Sequence, residues 1–191
     1  MKCCLVTYAT MSGTTADVAR TITEELEKKG VKTSLLPVAD VQDLEEYDAV
    51  MLGAPMIMGW HREAVSFLKK HKAQLVGKRL ALFATAMSLT QTGESSVDGV
   101  PVFVDPKLAE SPQRPGRLSP KERFCAIPAY VRPMLKATGG NLPASVALFG
   151  GRLDIYRLKW WAAAFVMLVI RAKPGEKRNW DAIKAWADSL Q

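Results

Sequence analysis

The sequence predicts an α/β protein, a doubly wound parallel sheet with helices on both faces. Three observations carry this reading. Five short runs are apolar or β-branched, and "AVMLGAP" and "RLALFATA" among them are continuously apolar rather than alternating. Strands covered on both faces read this way, because both side-chain directions point into a core. Segments with apolar residues three and four apart lie between the runs, as expected of helices that cover such a sheet. The chain has 191 residues, enough for one domain with a proper core.

Taken in order, Lys2 to Tyr8 is the first strand, and Thr14 to Lys29 carries Val18, Ala19, Ile22 and Leu26 on one helical face. Gly30 stops that helix and "VKTSLLPV" resumes an extended pattern. Ala49 to Pro55 is the third strand, "REAVSFLKKHKAQL" the second helix, and Arg79 to Ala86 the fourth strand after Gly77. Residues 87–120 form a polar, Pro- and Gly-rich interval, longer than ordinary connections, in which "VPVFV" is a short extra strand candidate. The interval reads equally as a lid or as a surface loop. "SPKERFCAIPAYVRPMLKAT" is helical, bent or broken by Pro128 and Pro133. "SVALFGG" is the fifth strand, and "NWDAIKAWADSL" a final amphipathic helix.

Lys and Arg total 26 against 19 Asp and Glu, a net charge of +7 that suits an acidic partner or an anionic surface. The three cysteines do not make a disulfide framework, since Cys3 and Cys4 are adjacent and point to opposite faces. No CxxC motif or histidine pair suggests a metal, so no metal site is expected. His61 and His71 lack a carboxylate or cysteine partner at a recognisable spacing and read as packing or surface residues. With no cleavable signal after Lys2, the cytoplasm is the expected compartment.

The stretch "TYATMSGTTADVAR" follows the first strand and opens the first helix. Thr10, Ser12, Thr14 and Thr15 offer hydroxyls, Gly13 lets the backbone approach closely, and the first-turn amides of the helix point outward. That combination suits a phosphate. The loop has no lysine where a GxxxxGK[ST] site would place one, and it has a single glycine where dinucleotide turns have three. A serine or threonine N-cap with no ligand would account for Ser12 or Thr14 alone.

These residues carry a resemblance. "TMSGTT", Thr10 to Thr15, resembles the phosphate loop of the flavodoxins, and "YDAVMLGAPMIMGWH" resembles the third strand and first flavin-ring loop of the flavodoxin-like, menaquinone-dependent protoporphyrinogen oxidase group. "LFGGRLDIYRLKWWAAAFVMLVIRAKPGEKRNWDAIKAW" is similar to the C-terminal region of that group. The resemblance implies a three-layer sandwich around a five-stranded parallel sheet in the order 2-1-3-4-5, with FMN as cofactor. It places Thr10, Met11, Ser12, Gly13, Thr14 and Thr15 on the phosphate. Pro55, Met56, Ile57, Met58 and Gly59 fall on the first ring loop, and Thr85, Ala86, Met87, Ser88 and Leu89 on the second. In flavodoxins a glycine-containing peptide of the first loop can reorient toward the flavin N5 proton, and Gly59 or its neighbour is the candidate. No side chain is singled out as catalytic, because the flavin carries the chemistry.

"WWAAAFVMLVI", Trp160 to Ile170, is continuously apolar and flanked by Arg152, Arg157, Lys159, Arg171, Lys173, Lys177 and Arg178. It is too short to span a bilayer, which takes about 20 residues. An extra basic, apolar helix at about 156–172 is expected, either buried or lying on a membrane face. The implied activity is electron transfer from protoporphyrinogen IX through FMN to a quinone, with Arg152, Arg157 and Lys159 suited to its propionates. The alternatives are a flavodoxin electron carrier between redox proteins and an NAD(P)H-quinone reductase. The resemblance and the helix together imply a quinone or small-molecule substrate, a peripheral membrane or redox-protein partner, and no nucleic acid. A homo-oligomer remains open. One domain over residues 1–191 is expected, located in the cytoplasm or on the inner face of the membrane.

Overall fold

In a computed structural model of the chain, the described residues are 2–114, 116–153 and 175–190. The first strand, β1 (Cys3–Tyr8), runs into α1 (Thr14–Lys28), and β2 (Lys32–Pro37) returns beside it. β3 (Ala49–Pro55), α2 (Arg62–Lys70) and β4 (Arg79–Ala86) follow. The interval after β4 holds four short strands, β5 (Leu89–Thr90), β6 (Ser96–Val97), β7 (Val100–Val104) and β8 (Ala109–Glu110). Then come α3 (Pro120–Phe124), α4 (Ile127–Ala137), β9 (Ser145–Gly150), β10 (Arg152–Leu153), β11 (Gly175–Glu176) and a final helix, α5 (Trp180–Ser189).

The central sheet runs β2-β1-β3-β4-β9-β7-β6. Its first five members reproduce the expected order 2-1-3-4-5, all parallel. The expectation of five strands is corrected to seven. "VPVFV" becomes β7, which pairs in parallel outside β9, and β6 pairs antiparallel to β7 at the new edge. The pattern of this strand explains its place: Val100 and Val102 are buried while Pro101, which has no N–H to offer, is exposed. The interval 87–120 is therefore partly sheet rather than a single loop.

β3 is buried along its whole length and β4 everywhere but Arg79, as their apolar runs require. One face packs Val18, Ile22 and Leu26 of α1 and Trp186 of α5 against Phe83 and Phe149. Trp186 meets Phe149 edge-on at 5.6 Å between centroids, and its indole N–H donates to Ser145 Oγ at 3.0 Å. The other face packs Phe67 and Leu68 of α2 and Ile127, Val131 and Met134 of α4. The segment expected to be bent or broken by its prolines is broken, into α3 and α4. The break falls at Cys125–Ala126: Ala126 is extended at φ −70°, ψ 152°, and α4 starts after it with Pro128 in its first turn, where proline is tolerated. Pro133 stays inside α4 on an exposed face, so the Ala129 carbonyl that it leaves unpaired in the helix lies at the surface. The second helix is also shorter than its pattern, ending at Lys70, with His71 buried against Phe67 and bonded through Nδ1 to Gln74 Oε1 at 2.7 Å. The helix expected at about 156–172 lies outside the described residues.

Two junctions fix the end of β9. Asp105, fully buried after β7, accepts hydrogen bonds from Gly150 N at 3.1 Å, Lys107 N at 2.9 Å and Asn179 Nδ2 at 2.9 Å. Gly150 is also pressed against the chain returning from β11. A Cβ there would stand 1.9 Å from the Lys177 carbonyl oxygen, which is backbone. Gly150→Ala is expected to destabilise the fold by about 1–3 kcal/mol through overpacking, seen as a lower urea midpoint at unchanged slope. Wild-type stability would mean that the backbone at Lys177 yields freely.

Candidate functional site

A parallel sheet brings the carboxyl ends of its strands to one side, and here β1, β3 and β4 end level with one another. Tyr8 pairs with Gly53, and Pro55 with Thr85. Ala9 N donates to Gly53 O at 2.9 Å and Met56 N to Thr85 O at 2.8 Å, so the three following loops start side by side. The chain turns to β2 on one side of β1 and to β3 on the other. This is the switch point at which such sheets bind ligands.

The first loop is shaped by its own hydroxyls. Thr10 Oγ1 accepts from Gly13 N at 3.0 Å, and Gly13 takes φ 86°, which a side chain would resist. Ser12 Oγ lies 3.3 Å from Thr14 Oγ1, which donates to the Arg152 carbonyl at 3.1 Å. Thr15 Oγ1 is buried and shares a hydrogen bond with Thr85 Oγ1 at 3.0 Å, tying the first turn of α1 to the end of β4. Among the described residues, no side chain caps the amides of that first turn. Donor groups at a positive helix end, in a hydroxyl-lined loop, are arranged for an anion.

Asp17, in the same turn, would oppose an anion, and it is ion-paired with Arg178, which it shares with Glu176. Arg178 Nη1 donates to Asp17 Oδ2 at 2.7 Å, while its Nε donates to Glu176 Oε1 at 2.7 Å. The guanidinium is 8% exposed and lies 4.7 Å above the Trp180 ring. Its hydrogen bonds hold the Glu176 carboxyl below its ordinary range and raise Arg178 further. Sequence reasoning placed Arg178 only in a basic flank, since its partner lies 161 residues away.

The second loop, after β3, is a tight turn. Met56 and Trp60 bridge antiparallel, and Ile57 N donates to Gly59 O at 3.0 Å. Met58 and Gly59 both sit at positive φ, 52° and 117°. This divides the predicted residues. Pro55 and Met56 are buried, Met56 packing in the core, whereas Ile57 and Met58 stand 48% and 69% exposed. Met11 of the first loop is 55% exposed as well. Three large apolar side chains thus lie open on loops that begin beside one another, which is unusual for a surface with nothing to cover it.

The third loop is held rather than open. Thr85, Ala86 and Leu89 are buried, and Met87 and Ser88 half-buried. Tyr130 donates its phenol proton to Ser88 O at 3.0 Å, and Ser88 Oγ lies 3.4 Å from Cys125 Sγ. Burial first, then the hydrogen bond and charge of Cys125, push the Tyr130 phenol up, so it stays a proton donor at all ordinary pH. Neither Tyr130 nor Cys125 could be found from sequence, because no local pattern announces a contact about forty residues away.

A model of the flavodoxin domain matches residues 5–179. The chain belongs to the flavodoxin domain family. Within curated proteins it is 22% identical over 175 residues to the protoporphyrinogen IX dehydrogenase [quinone] of Escherichia coli (strain K12), covering 90% of this chain and 81% of that one. Among solved structures it matches a flavodoxin of Streptococcus pneumonia TIGR4 at TM-score 0.50 and 13% identity, over 98% of this chain and 97% of that one. It also matches the rubredoxin oxygen:oxidoreductase of Desulfovibrio gigas at TM-score 0.55 and 12% identity, over 100% of this chain and 35% of that one. At these identities the structures speak for the fold alone, and the flavodoxin-like sheet order agrees with them.

Proposed function

We propose that the protein is an FMN-dependent oxidoreductase of the protoporphyrinogen IX dehydrogenase type, with a quinone as electron acceptor. The observation that supports it most is the site itself, an uncapped, hydroxyl-lined helix start beside an exposed apolar trio, in a flavodoxin-domain chain similar along most of its length to such a dehydrogenase. The residues fit FMN. Thr10, Ser12, Gly13, Thr14 and the first amides of α1 would hold the phosphate. Met11, Ile57 and Met58 offer apolar contact to a ring, and Ser88 and Met87 flank it from the β4 side. When bound, the flavin supplies reversible acceptance of electrons from an organic donor.

The chain's own part is to bind, orient and shield. Arg178 holds Asp17 in an ion pair beside the phosphate loop, and Tyr130 fixes the Ser88 carbonyl so that the third loop keeps its shape. Gly59, at φ 117°, holds a conformation closed to other residues at little cost. Gly59→Val is expected to shift at least one FMN reduction potential while the fold survives, because strain of about 1–3 kcal/mol must be relieved by moving that turn. Identical potentials in potentiometric titration would remove this turn as a ring contact.

The decisive test is anaerobic: FMN-loaded protein is offered protoporphyrinogen, NADPH or menaquinol in parallel. Bleaching by protoporphyrinogen and reoxidation by menaquinone supports the reading; bleaching by NADPH alone replaces it with an NAD(P)H-quinone reductase. A flavodoxin electron carrier is the second reading, favoured by the flavodoxin-domain match over residues 5–179 and opposed by the charge of +7. It requires that none of the three small molecules reduce the flavin while a partner protein does.

A quinone is a membrane molecule, and the basic apolar sequence between Arg152 and Arg178 gives the protein a means to reach one. Leu153 pairs with Gly175, so both ends of that stretch are anchored where Arg152 O meets Thr14 and Arg178 meets Asp17. Membrane association on the cytoplasmic side follows as part of the proposal, each basic residue near an anionic surface adding about 1 kcal/mol. Wild-type protein is expected to co-sediment with anionic vesicles at low salt, and less at high salt. A Trp160→Ser, Trp161→Ser variant that still binds FMN should stay in solution. Equal sedimentation of both would dismiss the membrane role.

A further inference from the structure

The third loop leads out of the candidate site into an open groove of ≈ 450 Å³ between residues 92–94 and the α3–α4 pair. The two regions are joined directly. Thr90 N donates to Cys125 O at 2.8 Å, and Thr90 bridges Ala126, which lines the groove. The groove is within the size range of small-molecule sites. Its floor and walls are mostly apolar, with Leu118, Ala126, Pro128 and Pro133 contributing.

Its polar groups are few and of two kinds. Arg123 of α3 and Arg132 of α4 bring two guanidinium groups to an apolar groove. Arg132 faces Asp98 only at 3.7 Å, with both side chains more than half exposed, so it remains able to turn to a ligand. Thr92 Oγ1 and Glu94 Oε2, which also line the groove, are buried from solvent and make no hydrogen bond among the described residues. A buried acceptor without a donor is costly, and such groups in native folds call for a partner. Two guanidinium groups favour carboxylates, and the unpartnered oxygens favour N–H donors.

We propose that this groove binds the tetrapyrrole substrate, a class that combines an apolar ring body, propionate carboxylates and ring N–H donors. The propionates meet Arg123 and Arg132, the ring packs on Leu118 and Pro128, and ring N–H groups are directed at Thr92 and Glu94. This inference rests on the dehydrogenase reading and assigns its substrate to residues outside the three loops. It moves the carboxylate contacts away from Arg152, which lies by the phosphate loop.

The test uses FMN-loaded protein and two probes, protoporphyrin IX and its dimethyl ester, with binding followed by fluorescence. An Arg123→Gln, Arg132→Gln variant, changed only at exposed positions, is expected to bind the free acid about a hundredfold more weakly, about tenfold per arginine. Its affinity for the ester should match wild type. Thr92→Val is expected to leave protoporphyrin and ester binding near wild type, since their N–H groups face the ring centre, and to raise the KM for protoporphyrinogen, whose pyrrole N–H groups can turn outward. In turnover with protoporphyrinogen the arginine variant should show a raised KM with little change in kcat, and its FMN content should be unchanged. If wild type oxidises protoporphyrinogen and the arginine variant does so with the same KM, the groove assignment falls while the dehydrogenase reading stands. If wild type neither binds protoporphyrin nor is reduced by protoporphyrinogen, both fall.

Discussion

Asp105→Ala is expected to lower the unfolding free energy by about 3–5 kcal/mol, given that each of the two buried donors left without a partner costs about 1–3 kcal/mol. The carboxylate is fully buried and accepts from Gly150 N, Lys107 N and Asn179 Nδ2. Alanine removes the acceptors and leaves those donors with no partner, and Gly150 N and Asn179 are themselves buried. The damage is not confined to one strand. Asp105 joins the end of β7, the end of β9 and the residue that opens α5, so three elements lose their common anchor. Asp105→Asn keeps one acceptor but turns an amide toward a donor, and should fall between wild type and alanine. Urea unfolding checks both. A loss below about 1 kcal/mol for alanine would mean that water or rearranged backbone satisfies the donors, and that β7 is held on β9 by pairing alone.

What could be read from the sequence was local, and what could not was long-range. β3 and β4 announce themselves because continuous apolar runs have few homes other than a covered sheet. The phosphate loop announces itself because Thr10 to Thr15 are contiguous, so the hydroxyls and glycine that shape it are visible as one string. The position of β7 was hidden. Its pattern marks a strand, but the pairing to β9 is decided by which edge is open once β4 and β9 are neighbours. Asp105 looked like any loop acid, since its partners lie 45 and 74 residues on. The first ring loop shows the limit within a single turn: Met56 and Met58 are alike in sequence, yet one packs in the core and the other is exposed. Positive φ at Met58 and Gly59 makes that division, and no side-chain pattern encodes it.

Thr10→Ala combined with Thr15→Ala is expected to raise the dissociation constant for FMN about a hundredfold, from the loss of one Thr10 hydrogen bond to a charged group, at about 1.5–3 kcal/mol, and from a helix end loosened where Thr15 no longer ties it to Thr85. The two act differently. Thr10 Oγ1 accepts from Gly13 N, which sets the loop, and still has a proton to give to an anion. Thr15 ties the first turn of α1 to Thr85, so its loss frees a buried hydroxyl on β4 and loosens the helix end that presents its amides. The double variant should remain folded, because neither residue belongs to the apolar clusters on the faces of the sheet. Thr10→Ser with Thr15→Ser keeps both hydroxyls and should restore most of the affinity, separating hydrogen bonding from packing. Titration of apoprotein with FMN and with riboflavin, which lacks the phosphate, completes the test. The alanine variant should lose affinity for FMN and little for riboflavin. Equal losses for both would place these threonines under the ring, and no loss for either would move the phosphate away from this loop altogether.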